Sequence, residues 1–162
     1  MHFRVNELKM KLQVWDTCGQ EVYRSLIKGF CSNASLAIII YNVCSEETYK
    51  GLDSWIKDFK LNSGPDVPFF IVGNNKEEES AKVISTEEAE IFAAKSGAKF
   101  FIECSSKTGN NINEIFIEAA KCLYDDYKNP KKKLKNDFSV AMFELVNDGR
   151  FKKKKVAFNQ IN

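Results

Sequence analysis

Histidine occurs once, as His2, so Ser–His or Cys–His catalytic pairs and histidine-built metal centres have no material to work with. There is no Cys-x-x-Cys: the five cysteines, Cys18, Cys31, Cys44, Cys104 and Cys122, stand far apart beside apolar residues. That spacing reads as buried, reduced thiols, and hence as a cytosolic setting, rather than as disulfides or a metal cluster. No apolar run approaches the roughly 20 residues of a membrane-spanning helix, and the stretch behind Met1 lacks the apolar core of a signal peptide, so a soluble protein is expected. The string Gly-x-x-x-x-Gly-Lys-Ser/Thr, whose backbone N–H groups and lysine surround phosphates, occurs nowhere. No internal repeat is evident.

What is present suffices for one domain with a real core: 162 residues, 44% of them hydrophobic. The net charge of +2 conceals a division. Residues 128–162 carry 10 basic against 3 acidic side chains, and residues 1–127 carry 14 against 19. The sign changes at Asn129-Pro130, which predicts an acidic globular body over 1–127 and a basic tail over 128–162. Within that tail Phe138, Met142, Leu145 and Val146 recur at helical spacing, which predicts an amphipathic helix between two lysine clusters.

Along the body, strand and helix patterns alternate. Phe3-Arg4-Val5 followed by Met10, Leu12 and Val14, alternating with Lys11 and Gln13, predicts a hairpin whose second arm is a half-buried strand. Leu36–Val43 and Pro68–Gly73 are continuous apolar runs of the kind covered on both faces of a sheet, and Lys99–Cys104 is a third. Helices are expected over 21–30, from Ser45 through the stripe Tyr49, Leu52, Trp55, Ile56 and Phe59, over 87–96 with Thr86 at its start, and over 113–127. The alternation indicates a largely parallel α/β sheet, whose ligands bind at the carboxyl edge of the strands.

The first strand of that sheet ends in Trp15-Asp16-Thr17-Cys18-Gly19-Gln20-Glu21. A carboxylate there can hold Mg²⁺ through water, Gly19 admits a backbone N–H close to an anion, and Gln20 can orient an attacking water. This string resembles the switch II motif of Ras-superfamily small GTPases and is most similar to the Rab branch. Tyr41-Asn42-Val43 with Glu46 to Trp55 resembles the family's fourth strand and following helix. Val72-Gly73-Asn74 and Glu103-Cys104-Ser105-Ser106-Lys107 resemble its two guanine-recognition segments, so the similarity runs from about Phe3 to Tyr127.

The resemblance implies an α/β, small-GTPase-like fold of the P-loop NTPase type, with GTP or GDP and Mg²⁺ as cofactors. It implies that Asp16 holds the metal, Gly19 senses the terminal phosphate and Gln20 is catalytic. The first recognition segment, Asn-Lys-x-Asp in the family, fits in two registers: Asn74-Asn75-Lys76-Glu77, or Asn75-Lys76-Glu77-Glu78, with Glu in place of Asp either way. Ser105, Ser106 and Lys107 correspond to the second segment, with Ser106 in place of an alanine. Met1 enters the family pattern in its second strand, so a truncated domain is expected, without the first strand, the phosphate loop or switch I. The family's first strand lies mid-sheet, and without it the strands at 10–16 and 36–43 are expected to pair directly or leave buried backbone groups unpaired. The alternative function is a non-catalytic descendant that binds protein partners. The implied partners are family-type regulators and effectors at switch II and, through residues 128–162, an anionic membrane surface; nucleic acid is not expected. The implied location is the cytoplasm, with peripheral contact to endomembranes. The final residues hold no cysteine for prenylation.

Overall fold

A computed structural model describes residues 1–5, 8–18, 29, 31–128 and 138–144. Six strands form one sheet: β1 (His2–Val5), β2 (Leu8–Cys18), β3 (Leu36–Asn42), β4 (Phe69–Asn74), β5 (Phe100–Glu103) and β6 (Phe138–Glu144). Among the described residues four α-helices accompany them, α1 (Glu46–Lys50), α2 (Leu52–Ser63), α3 (Thr86–Ser96) and α4 (Ile112–Lys128), with a short 3-10 helix at Glu79–Ala81. Sheet order is β1-β2-β6-β3-β4-β5. Among the described residues only β1 is antiparallel; it forms the expected hairpin with β2, Phe3 facing Met10, while the other four ladders are parallel.

Because side chains of a strand alternate between faces, β3 feeds two cores at once. Ala37, Ile39 and Tyr41 pack with Trp55, Ile56 and Phe59 of α2 and with Ala89 and Ala93 of α3. Leu36 and Ile38 join Met10, Leu12, Phe70 and Val72 beneath Ile115, Phe116, Ala119 and Leu123 of α4. Leu36, Ala37 and Ile39 are fully sequestered from solvent, which explains a run too apolar to alternate.

Helix ends follow local chemistry. Ser45 caps α1 by accepting from the Thr48 N–H, and Gly51, itself in the right-handed helical region at φ −67° and ψ −22°, divides the expected single helix into α1 and α2. At α3 the cap is Ser85, whose Oγ accepts from the Glu88 N–H at 3.1 Å, and not Thr86, which lies inside the first turn. Gly97 ends α3 in the left-handed region, φ 81°, where a Cβ would be strained.

Two further expectations are corrected. The segment Phe138–Glu144 is not an amphipathic helix in an external tail; it is a central strand, parallel to both neighbours. Strands β2 and β3 accordingly neither pair directly nor leave their inner edges open, since β6 lies between them: Val140 aligns with Val14 on one side and Leu36 on the other. A seven-residue stretch with five apolar residues fits either period, and an open slot in a buried sheet decides for the strand, because unpaired buried backbone groups cost ~1–3 kcal/mol each. The helix expected over 21–30 lies outside the described residues except for Gly29.

Candidate functional site

Parallel pairing brings the carboxyl ends of β2, β6, β3, β4 and β5 to one edge. At the β4–β5 end of that edge, Asn74 is buried, 8% exposed, and its amide makes a cross-brace to the loop after β5. Asn74 Oδ1 accepts from the Ser106 N–H at 3.0 Å, and Asn74 Nδ2 donates to Ser106 Oγ at 3.1 Å. The Cys104 thiol donates to the same Oδ1 at 3.7 Å. Backbone bonds lock the two loops further: Cys104 N–H to Gly73 O at 2.7 Å and Lys76 N–H to Cys104 O at 3.1 Å. Ser106, itself exposed, brings a hydroxyl into the brace that an alanine could not supply.

This bonding involves Asn74, the first residue of the first register. Asn74 ties the segments together, Asn75 follows in a left-handed conformation with φ 68°, and Glu77 is half-buried. Lys76 and Glu78 are exposed. Lys107 turns to Glu78, Nζ to Oε1 3.2 Å, an exposed pair that bridges the two loops at small energetic gain. Ser105 is 1% exposed; its hydroxyl accepts from the Thr108 N–H at 3.0 Å and its carbonyl from the Gly109 N–H at 2.9 Å, shaping the turn that carries Ser106 and Lys107.

Behind these loops lies a feature the sequence did not announce. Lys82 Nζ donates to Glu103 Oε2 at 2.9 Å and to Thr86 Oγ at 2.7 Å, and the Thr86 hydroxyl donates to Glu103 Oε1 at 3.1 Å. The Glu103 side chain is 7% exposed and that of Lys82 13%. Glu103 also accepts at its backbone carbonyl from Asn111 Nδ2 at 2.8 Å. Lys82, Thr86, Glu103 and Asn111, with Lys76 and Glu90, line an open polar groove of about 340 Å³. Lys82 and Thr86 sit one helical turn apart in sequence, a signal that could suggest a shared target, but nothing local names Glu103 as that target.

The residues expected at the metal and phosphate end stand apart from this brace. β2 does not stop at Asp16 but runs on to Cys18, and by register Asp16 is level with Met142, Ile38 and Phe70, four positions before the Asn42–Asn74 pair. Four residues amount to ~13 Å along the strands, and three strand spacings add ~14 Å across them. Asp16 therefore shares the edge but not the locality of the Asn74–Ser106 brace. Gly19 and Gln20 lie outside the described residues. Among the described residues no three His, Cys, Asp or Glu side chains cluster to hold a metal ion. The described helices include none long and apolar enough to cross a membrane.

The model of the Ras family matches residues 1–125. The chain belongs to the Ras family. This Ras-family chain is 37% identical over 117 residues to the Ras-related protein Rab-2B of Dictyostelium discoideum, so its likeness is to the Rab type. The matched stretch is 72% of this chain and 57% of that protein; the chain spans a little over half the length of the relative it matches. The small-GTPase-like α/β fold read from the motifs is thereby shown, and the Asn74 and Ser106 loops fall inside the matched region.

Proposed function

We propose that this chain is a Rab-like GTP-binding domain of intracellular vesicle traffic whose purine-recognising edge is formed and whose hold on the phosphates is weak. The observation that carries this reading is the Asn74–Ser106 brace, which fixes two loops at the edge where an α/β sheet binds ligands. Glu77 supplies a carboxylate at the acid position; the Ser106, Thr108 and Gly109 N–H groups are taken up in shaping the loops, so recognition of a guanine ring rests on that carboxylate. The residues do not fit a triphosphate equally well, since none of the 162 residues forms the glycine-rich phosphate motif. Four charge-assisted phosphate bonds at ~1.5–2 kcal/mol each amount to ~6–8 kcal/mol, or about four to six decades of affinity, which turns nanomolar binding into millimolar. Asp16 is the residue proposed to face the metal, Gly19 the terminal phosphate and Gln20 the attacking water; where hydrolysis is measurable, Gln20→Leu slows it without weakening GTP binding.

Isothermal titration of the chain with GTP, GDP and ATP tests the reading. Millimolar binding of GTP and GDP, weaker binding of ATP, and loss of the difference in Asn74→Ala support it. Submicromolar GTP binding, or equal affinity for ATP, overturns it. A second reading, a partner-binding module that holds no nucleotide, draws on β6, which fills the sheet without a phosphate loop. A folded chain that gives no heat with any nucleotide at millimolar concentration decides for that module. Regulators and effectors at switch II remain the proposed partners. The proposed anionic membrane contact rests on the lysines flanking β6, Lys131–Lys133 with Lys135 and Lys152–Lys155, at ~1 kcal/mol for each that reaches the surface. Flotation with phosphatidylserine liposomes at low salt tests it.

A further inference from the structure

The two loops tied by the Asn74–Ser106 brace carry opposite charges, and those charges meet. Glu78 stands on the loop after β4 and Lys107 on the loop after β5, with Lys107 Nζ 3.2 Å from Glu78 Oε1. The backbone beneath each side chain is pinned. Glu78 donates its N–H to Asn75 O at 3.0 Å, and its carbonyl accepts from the Ala81 N–H at 2.9 Å and from the Cys44 thiol at 3.7 Å. Lys107 lies inside the turn that Ser105 closes with Thr108 and Gly109, directly after the Ser106 N–H that is bonded to Asn74. The side chains themselves are 66% exposed at Lys107 and 49% at Glu78, so the pair can open by side-chain rotation while both loops stay in place.

An ion pair whose partners stand on facing loops crosses the gap between them. That gap is where a base would have to lie to reach Glu77, the neighbour of Glu78. Lysine covers an aromatic ring with its apolar stem and its ammonium together, and Lys107 can offer both only when its head is released from the opposite loop. We propose that the Glu78–Lys107 pair is an electrostatic clasp over the base-binding gap: a nucleotide base enters as the pair opens, so the clasp lowers affinity and regulates access to the site. This inference rests on the nucleotide-binding reading above and adds the regulation of that site. Its sign separates it from a merely structural pair. A bridge that only supported the loops would, when removed, loosen the site and weaken binding; a clasp, when removed, strengthens it. Exposed pairs hold weakly, so removal should tighten binding by about two- to fivefold.

Titration of the full chain with GDP, followed by backbone amide shifts, tests the clasp in the parent, Glu78→Gln, Lys107→Gln, the double variant of these two, and Glu79→Gln. Glu79 is an exposed acid next in sequence that the pair does not involve, so Glu79→Gln measures what an anionic ligand gains from the loss of one nearby negative charge. Glu78→Gln is expected to bind GDP about two- to fivefold more tightly than Glu79→Gln at low salt. The advantage should vanish in the Lys107→Gln background and fall below about twofold at ~1 M salt, where charges are screened within ~3 Å. In the absence of nucleotide, Lys107→Gln should shift the amide resonances of Asn75 and Glu78. Binding by Glu78→Gln no tighter than by Glu79→Gln, an advantage that survives Lys107→Gln, or resonances of Asn75 and Glu78 that do not move each overturns the clasp and leaves nucleotide binding standing. GDP that binds neither the parent nor Glu78→Gln at millimolar concentration overturns the nucleotide-binding reading and the clasp with it.

Discussion

Replacing Lys82 by methionine removes one cation from a nearly dry cluster, and the structure sets what that should cost. Glu103 keeps its carboxylate at 7% exposure but loses the ammonium 2.9 Å from Oε2. Breaking a buried ion pair from one side typically costs ~3–5 kcal/mol, because the remaining charge is left without compensation. Here the Thr86 hydroxyl still donates to Oε1 at 3.1 Å, and a retained bond of this kind offsets ~1 kcal/mol. Lys82→Met is therefore expected to lower stability by ~2–4 kcal/mol. Adding Glu103→Gln removes the stranded charge while keeping its shape, so the double variant should recover to within ~1 kcal/mol of the parent. Urea denaturation followed by Trp fluorescence and circular dichroism measures all three. The effect should reach the site, because Glu103 precedes Cys104 and its carbonyl holds Asn111: amide exchange at Ser105 and Ser106 should quicken in Lys82→Met. A loss under ~0.5 kcal/mol, or a double variant no better than the single one, would refute the reasoning.

Asn74→Ala removes both bonds to Ser106 and should cost ~1–3 kcal/mol, with faster exchange of the Ser106 amide by NMR as the local sign. A Cβ on Gly73 would meet Tyr41 Oη at 2.9 Å and Val43 Cγ1 at 2.9 Å, so Gly73→Ala should cost ~1–3 kcal/mol by thermal melting. The Tyr41 hydroxyl is buried and has no hydrogen-bond partner among the described residues, and burial pushes its pKa up; Tyr41→Phe should be neutral or stabilising by up to ~1 kcal/mol and relieve part of the Gly73→Ala cost. Burial, with Asp58 adding to it, pushes the Cys31 thiol from 9.0 up to about 11. The folded pKa lies above the unfolded one, so this contribution is whole below pH 9.0 and is lost as pH rises through about 11. Cys31→Ala should therefore flatten the alkaline fall in stability measured over that window, and a wild-type slope in the variant counts against it.

The sequence by itself determined whatever rests on neighbours along the chain. The runs at Leu36–Val43 and Pro68–Gly73 could only be doubly covered strands, the stripe Leu52, Trp55, Ile56 and Phe59 could only face a core, and the ordered motifs at Trp15–Glu21, Asn74 and Ser105–Lys107 indicated the family. Contacts between distant segments had no such local mark. Asn74 and Asn75 are the same residue type, and only the approach of the Ser106 loop makes Asn74 the brace. Glu103 reads as the polar end of a strand until α3 brings Lys82 and Thr86 within hydrogen-bonding distance. The most consequential case is Phe138–Glu144, whose apolar residues fit a helix as well as a strand. A helix there would satisfy its own backbone groups and leave those of Cys18, Leu36 and their neighbours open; only as β6 does it satisfy both edges of the slot. That choice was made by the backbone hydrogen-bonding demand of β2 and β3, which lies more than ninety residues away in the chain.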